Sequence, residues 1–346
     1  MRECSVIDLF CGAGGMTHGF VQEGFNVIAG LDSDSSCKYA YEHNNQATFI
    51  NEKVEEIDPT RLLALYPPNH IKILVGCAPC QPFSTYTNGL PKGEKWKLLA
   101  AFADIVDAIE PDVISMENVL NILTFNDGAV YQSFVRRLER KYHILPYNVY
   151  CPDYGIPQKR RRLVVLASKF GEVELVPKTH NPQNYRTVRD VISSLDPIED
   201  GGCNEKDPLH RAARLTDINK RRIKQSKPGG TWRDWEAELV AACHKKASGA
   251  SYASVYGRMQ WDEPSPTMTT ECQGFGNGRF GHPEQDRAIS LREAAILQTF
   301  PLDYQFSEPG TQYSLRNIAR HIGNAVPVEL GRVVARSIAK HLEALA

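Results

Sequence analysis

The sequence predicts an α/β protein, a doubly wound sheet joined to a smaller and more irregular domain. Three observations predict it. Apolar runs of strand length recur through the first half and alternate with helix-like stretches. The first run passes into a helix through the glycine-rich turn Cys11-Gly-Ala-Gly-Gly15. After about Phe170 the alternation stops, and Pro, Asn, Gly and charge become frequent until about residue 285. A chain of 346 residues has room for two such units. The expected division is 1–177 with 310–346 for the sheet domain, and 178–309 for the second domain and its hinge.

Ser5 to Phe10 reads as a short buried strand, and a helix is expected from about Met16. Between them the glycines let backbone N–H groups approach a ligand, and the helix start favours negative charge. The pattern is not G-x-G-x-x-G, and a glycine turn between strand and helix is often only a turn. Val27 to Leu31 is a second strand, ending in Asp32. An acid there, about 20 residues beyond the first turn, is the usual partner of ribose hydroxyls. The alternative is an N-cap for a helix starting near Ser35.

Ile71 to Val75 is a further strand, followed by Gly76-Cys-Ala-Pro-Cys-Gln-Pro-Phe-Ser84. Pro79 and Pro82 bar a regular helix or internal strand, so Cys80 sits on a fixed loop at a strand end, where open α/β sheets bind ligands. Cys77 and Cys80 can instead be small buried hydrophobes, a redox dithiol or half a zinc site. Zinc requires a second ligand pair, and the other cysteines stand singly, so no metal is expected. Leu98 to Ile109 is a periodic helix. Asp112 to Met116, Ile144 to Tyr150 and Leu163 to Ala167 are strands, the first running into Glu117-Asn-Val119. Ile289 to Phe300 reads as a helix closed by Pro301, and a final helix starts near Val328.

Composition narrows the class. Hydrophobic residues make up 42% and charged residues 23%, and no apolar run approaches the ~20 residues of a membrane span. No signal peptide is evident, and nine cysteines without framework spacing fit a reducing cytoplasm. The net charge is −1, yet Lys206 to Arg233 carries nine basic residues against two acidic ones. Such a run is either a solvated face or a phosphate-binding patch.

Asp8-Leu-Phe-Cys-Gly-Ala-Gly-Gly15, the Cys80 loop, Glu117-Asn-Val119, Gln158-Lys-Arg-Arg-Arg162, Arg292 to Pro301 and Gly323-Asn-Ala-Val-Pro327 occur in that order over nearly the whole chain. In this the sequence resembles the DNA (cytosine-5) methyltransferases of bacterial or phage type. The resemblance implies a Rossmann-like methyltransferase sheet and S-adenosyl-methionine as cofactor, held by Phe10, Gly12, Gly14, Gly15, Asp32, Pro79, Leu98, Asn324 and Ala325. It implies Cys80 as the nucleophile toward carbon-6 of a flipped-out cytosine. Glu117 would hold the ring N3 and amine, Arg162 the base and Arg160 the adjoining backbone. Gln81, Ser84, Gln158, Arg221, Arg222, Arg258 and Thr267 are the implied DNA contacts, and about Ser84 to Trp96 the implied lid.

Where relatives place an acid and an aliphatic residue near the adenine, this chain has Asn51-Glu-Lys-Val54, which leaves Glu52 an open candidate; Ser33 replaces an aromatic residue. Duplex DNA is the expected partner of a monomeric cytoplasmic enzyme, with a cognate restriction endonuclease accompanying it but not stably bound. Rival readings are a tRNA methyltransferase of the same family and a non-catalytic DNA-binding protein on this fold.

Overall fold

The computed structural model describes residues 3–79, 97–249 and 251–345. Its centre is a seven-stranded sheet of β1 (Cys4–Leu9), β2 (Asn26–Asp32), β3 (Thr48–Asn51), β4 (Ile71–Gly76), β5 (Val113–Asn118), β6 (His143–Tyr150) and β7 (Arg161–Ser168). The spatial order is β3-β2-β1-β4-β5-β7-β6. The β1–β2, β1–β4, β2–β3 and β4–β5 pairs are parallel, and β7 runs antiparallel to both β5 and β6. The order of connection across the sheet therefore reverses between β1 and β4, the switch point at which such sheets bind ligands.

The doubly wound expectation is met, and six of the strands coincide with the predicted runs. The short edge strand β3 lies outside those runs, because four residues, Thr-Phe-Ile-Asn, are too few to show a period. It follows α2 (Lys38–Asn45), which Gln46 ends in the left-handed region at φ 53°.

Alternation along the strands loads both faces. Val6, Val27, Ile73, Val75 and Val164 pack with Met16 and Phe20 of α1 (Gly15–Gln22) and with Val333, Val334 and Ile338 of α10 (Val328–Glu343). Ile7, Leu31, Leu74, Ile114 and Val165 pack against Leu62 of α3 (Pro59–Leu63), Leu99 and Phe102 of α4 (Lys97–Ile109), and Phe134 and Leu138 of α5 (Ala129–Leu138).

Between β7 and residue 290 the described residues hold two short α-helices, α6 (Val188–Ile192) and α7 (Asp217–Gln225), with 3-10 turns and isolated bridges between them. Leu215, Ile223, Trp232, Trp235, Leu239 and Phe275 form a small core of their own. A second cluster joins Val188, Met259, Met268 and Phe280 to α8 (Leu291–Leu297) and α9 (Leu315–Asn324), and reaches Ala13 and Ala40 of the sheet layer. The helix predicted over 289–300 is shorter. Ser290 and Glu293 form a capping box that fixes its start, and Thr299 enters the left-handed region at φ 62° before Pro301.

Candidate active site

At the end of β1 the chain turns through Phe10, Gly12 and Gly14 with φ of 59°, 50° and 87°. The turn is fixed from β2. Gly12 N–H donates to Oδ2 of Asp32 at 2.9 Å, and Asp34 N–H donates to Oδ1 at 2.8 Å. Burial raises the Asp32 carboxyl, and these two amide bonds oppose it. The cap of the following turn, Ser35–Cys37, is Asp34 and not Asp32. Each Asp32 oxygen retains a lone pair for an additional donor.

The turn opens on a cleft of about 390 Å³ lined by Phe10, Gly12, Asp32, Pro79, Leu98, Asn324 and Ala325. A Cβ on Gly12 would meet nothing within 4 Å, so the backbone is open to a ligand there. Gly14 and Gly15 do not line the cleft; they shape it. Gly14 is the left-handed N-cap of α1, and a Cβ on Gly15 would lie 2.2 Å from the carbonyl oxygen of Val326.

Asp34, Glu55, Arg320 and His321 also line this wall, without a signal in the sequence. Of the stretch Asn51 to Val54, expected near the adenine, Lys53 and Val54 line it. Glu52 is not among the lining residues and pairs with Arg61 at 2.7 Å. Arg320 is ion-paired with Asp34. Asp34, Cys37 and His321 place one ligand-type atom each within 4.8 Å of one another. His321 Nε2 lies 2.9 Å from the Ser36 hydroxyl, and burial lowers this imidazole to about 4.

Three neighbouring strands bring the next groups together. Gly76 pairs with Met116, which sets Cys77 beside Glu117, and Asn118 Nδ2 donates to the Ala78 carbonyl at 3.0 Å. The Glu117 side chain is 1% exposed; its Oε1 is 2.8 Å from Arg162 Nε, and its Oε2 accepts from the Cys77 thiol at 2.7 Å. Cys77 also lines the cleft, which makes cleft and carboxylate continuous.

The loop before β7 is clamped. Buried Gln158 donates to Gln298 Oε1 and the Leu297 carbonyl, and accepts from Met268 N–H. Arg160, 3% exposed, donates to the carbonyls of Met268 and Ala325. Thr267 Oγ1 donates to the Lys159 carbonyl at 2.9 Å.

The other implied DNA contacts divide. Arg221 is exposed and paired with Glu238. Arg222 is half-buried; its guanidinium lies 5.1 Å from the Tyr256 ring centroid and donates to the Leu239 carbonyl. Arg258 is 5% exposed, donating to the carbonyls of Ile223, Ser226, His282 and Gln285 and pairing with Asp286, so it is structural mortar within this lobe. Cys80, Gln81, Ser84 and the implied lid over about 84–96 lie outside the described residues.

A chemically coherent set results: an open glycine turn with a carboxylate for hydroxyls, apolar walls for a flat ring, and a buried carboxylate–guanidinium pair alongside. Residues 4–340 match the family model described as C-5 cytosine-specific DNA methylase. The Type II methylase M.HgiDII of Herpetosiphon aurantiacus is 60% identical over 342 residues, 99% of this chain and 96% of that one. The Type II methyltransferase M.AgeI of Thalassovita gelatinovora is 28% identical over 96% of this chain and 98% of its own length. Among solved structures, a prophage-encoded chain of E. coli assigned as a DNA modification methyltransferase superposes with a TM-score of 0.75 at 20% identity, covering 98% of this chain and 99% of that chain, a likeness of fold. The chain belongs to the C-5 cytosine-specific DNA methylases and is an enzyme of that family.

Proposed function

We propose that the protein methylates carbon-5 of a flipped-out cytosine within a specific short duplex DNA sequence, as the modification half of a restriction-modification system. The observation that carries this is the continuity of the Asp32 cleft with the Glu117–Arg162 pair through Cys77. The Type II names of M.HgiDII and M.AgeI support the restriction-modification setting.

The cleft suits S-adenosyl-methionine. Asp32 would take the ribose hydroxyls, Gly12 leaves room for the close approach, and Pro79, Leu98, Asn324 and Ala325 would close the walls. Bound there, this cofactor supplies an electrophilic methyl group. Carbon-5 of cytosine is a weak nucleophile, so the protein must raise its electron density. The Cys80 thiolate would add to carbon-6, and Glu117 would receive the ring N3 and amine edge while Arg162 holds the carboxylate. After carbon-5 is methylated, its proton leaves to a base and the sulfur–carbon-6 bond breaks, returning the thiolate. The base must leave the stack to reach these groups, at a cost of a few kcal/mol. The region of about 178–309 would select the sequence and its exposed basic residues would track phosphates.

Duplexes carrying 5-fluorocytosine test the proposal, since carbon-5 then has no proton to lose. A covalent adduct mapping to Cys80 is expected, with none in Cys80→Ala. Methylation-aware sequencing of DNA from expressing cells should show one modified motif. Modification of tRNA with no mark on duplex DNA would support the RNA reading instead.

A further inference from the structure

We propose that Cys77 is a positioning residue of this enzyme, its thiol holding the Glu117 carboxylate until a base arrives. The inference rests on the reaction proposed above and concerns a side chain to which that reaction gives no part.

The register explains the placement. β4 and β5 are parallel with Gly76 opposite Met116, so the next residues, Cys77 and Glu117, leave the sheet side by side. Cys77 N–H continues the β1 ladder by donating to the Leu9 carbonyl at 3.3 Å, which fixes the backbone beneath the thiol. The thiol donates to Oε2 at 2.7 Å, while Arg162 Nε sits 2.8 Å from Oε1. A carboxylate 1% exposed needs a partner on each oxygen. Cys77 supplies the hydrogen bond to Oε2 and Arg162 stands against Oε1 as an ion pair, from the strands on either side of β5.

The two partners differ in strength. The guanidinium is a charged donor and the thiol a weak one. When a base edge with its own N–H donors enters, the thiol is displaced at small cost. A charged donor on Oε2 would compete with the base, whereas an empty position would leave the carboxylate free to rotate. The half-buried Cys77 thiol also lines the adjoining cleft. It therefore stands between the cleft and the carboxylate.

The test uses the full chain and two readouts. The first is activity-independent. Cys77 alkylation by iodoacetamide, located by peptide mass spectrometry, should run at least about threefold faster in Glu117→Gln, which removes a negative charge that disfavours the thiolate. An unchanged rate would overturn the thiol–carboxylate bond. The second readout is turnover on duplex DNA. Cys77→Ala should lower kcat roughly tenfold, since a carboxylate left free to rotate is seldom aligned with the arriving base. Cys77→Ser, which retains a donor, should recover most of kcat. A rise in KM alone, or no rescue by serine in a protein of native Tm, would overturn the positioning role. If the unsubstituted protein fails to methylate DNA, the reaction itself is misassigned, and the alkylation result still decides whether the thiol meets Glu117. If Cys77→Ala fails to fold, the serine variant and the alkylation rates decide it.

Discussion

Asp8 shows how much a single buried group can control. It lies on β1, 1% exposed, and accepts the Thr17 hydroxyl at 2.7 Å. Burial first, and the nearby Asp32 charge, raise its carboxyl to about 7, while Thr17 opposes the shift. The sign follows from linkage. A carboxyl raised on folding keeps its proton in the native state after the unfolded chain has lost its own. Stability contributed by Asp8 is thus present below its ordinary value near 3.9 and declines as pH rises toward 7. Asp8→Asn keeps an acceptor for Thr17 and has no charge to bury. At pH 8 it should be more stable than the parent by on the order of a few kcal/mol, a gain that shrinks steadily toward pH 4. Denaturant midpoints over pH measure this, and a pH-independent difference would show that Asp8 titrates normally. At this scale the sequence was legible where residue type and strand end coincide, as at Asp32 and Glu117. It was least legible for arginine. Arg222 and Arg258 are both among the implied DNA contacts, yet a carbonyl and aromatic rings cover Arg222 and carbonyls enclose Arg258, because five donors on one side chain can satisfy several loop carbonyls at once.

At the scale of elements, the site is made by close approaches that glycine permits. Gly15 starts α1 directly beneath Val326, in the turn that joins α9 to α10. Gly15→Ala would set a Cβ 2.2 Å from a backbone oxygen, which no side-chain rotation can relieve. The variant should lose about 1–3 kcal/mol of stability from overpacking. It should also bind S-adenosyl-methionine more weakly, since Asn324 and Ala325 line the cleft and would be pushed outward. Thermal unfolding together with calorimetry checks both, and native behaviour in each would show that the two segments separate freely. The pairing of the Gln158–Arg162 loop with Ser265–Met268 was out of reach of sequence alone. Both segments could be marked as functional from their motifs, but the single parallel bridge between Gln158 and Ser265 has no periodicity to betray it. The same limit hid β3, and with it which residues of the stretch after Asn51 face the cleft: Lys53, Val54 and Glu55 do, Glu52 does not.

For the whole molecule, the question is how a chain of net charge −1 binds a polyanion. On the proposed reading, the answer lies in where its cations stand. Lys206, Arg211, Arg214, Arg221, Lys224, Lys227 and Arg233 are exposed along one stretch, whereas Lys220 and Arg222 are partly covered. The small aromatic core beneath that stretch, with Trp232, Trp235 and Phe275, gives it a stable base. The exposed cations and the buried Arg258 should then fail differently. Replacing Lys224, Lys227 and Arg214 together by alanine should weaken binding to cognate and scrambled duplexes alike. It should also flatten the salt dependence, by a slope of about 0.9 for each phosphate no longer neutralised. Arg258→Ala should leave the salt slope of the folded fraction unchanged and destabilise the lobe by on the order of 1–3 kcal/mol, since it strips partners from buried carbonyls. Binding isotherms over a salt series, read beside unfolding curves, separate the two. Lower cognate affinity at unchanged slope in the triple variant would mean that the exposed cations read bases. An altered slope in a stably folded Arg258→Ala would mean that this side chain leaves its carbonyls to meet DNA, and that the lobe rearranges when it binds.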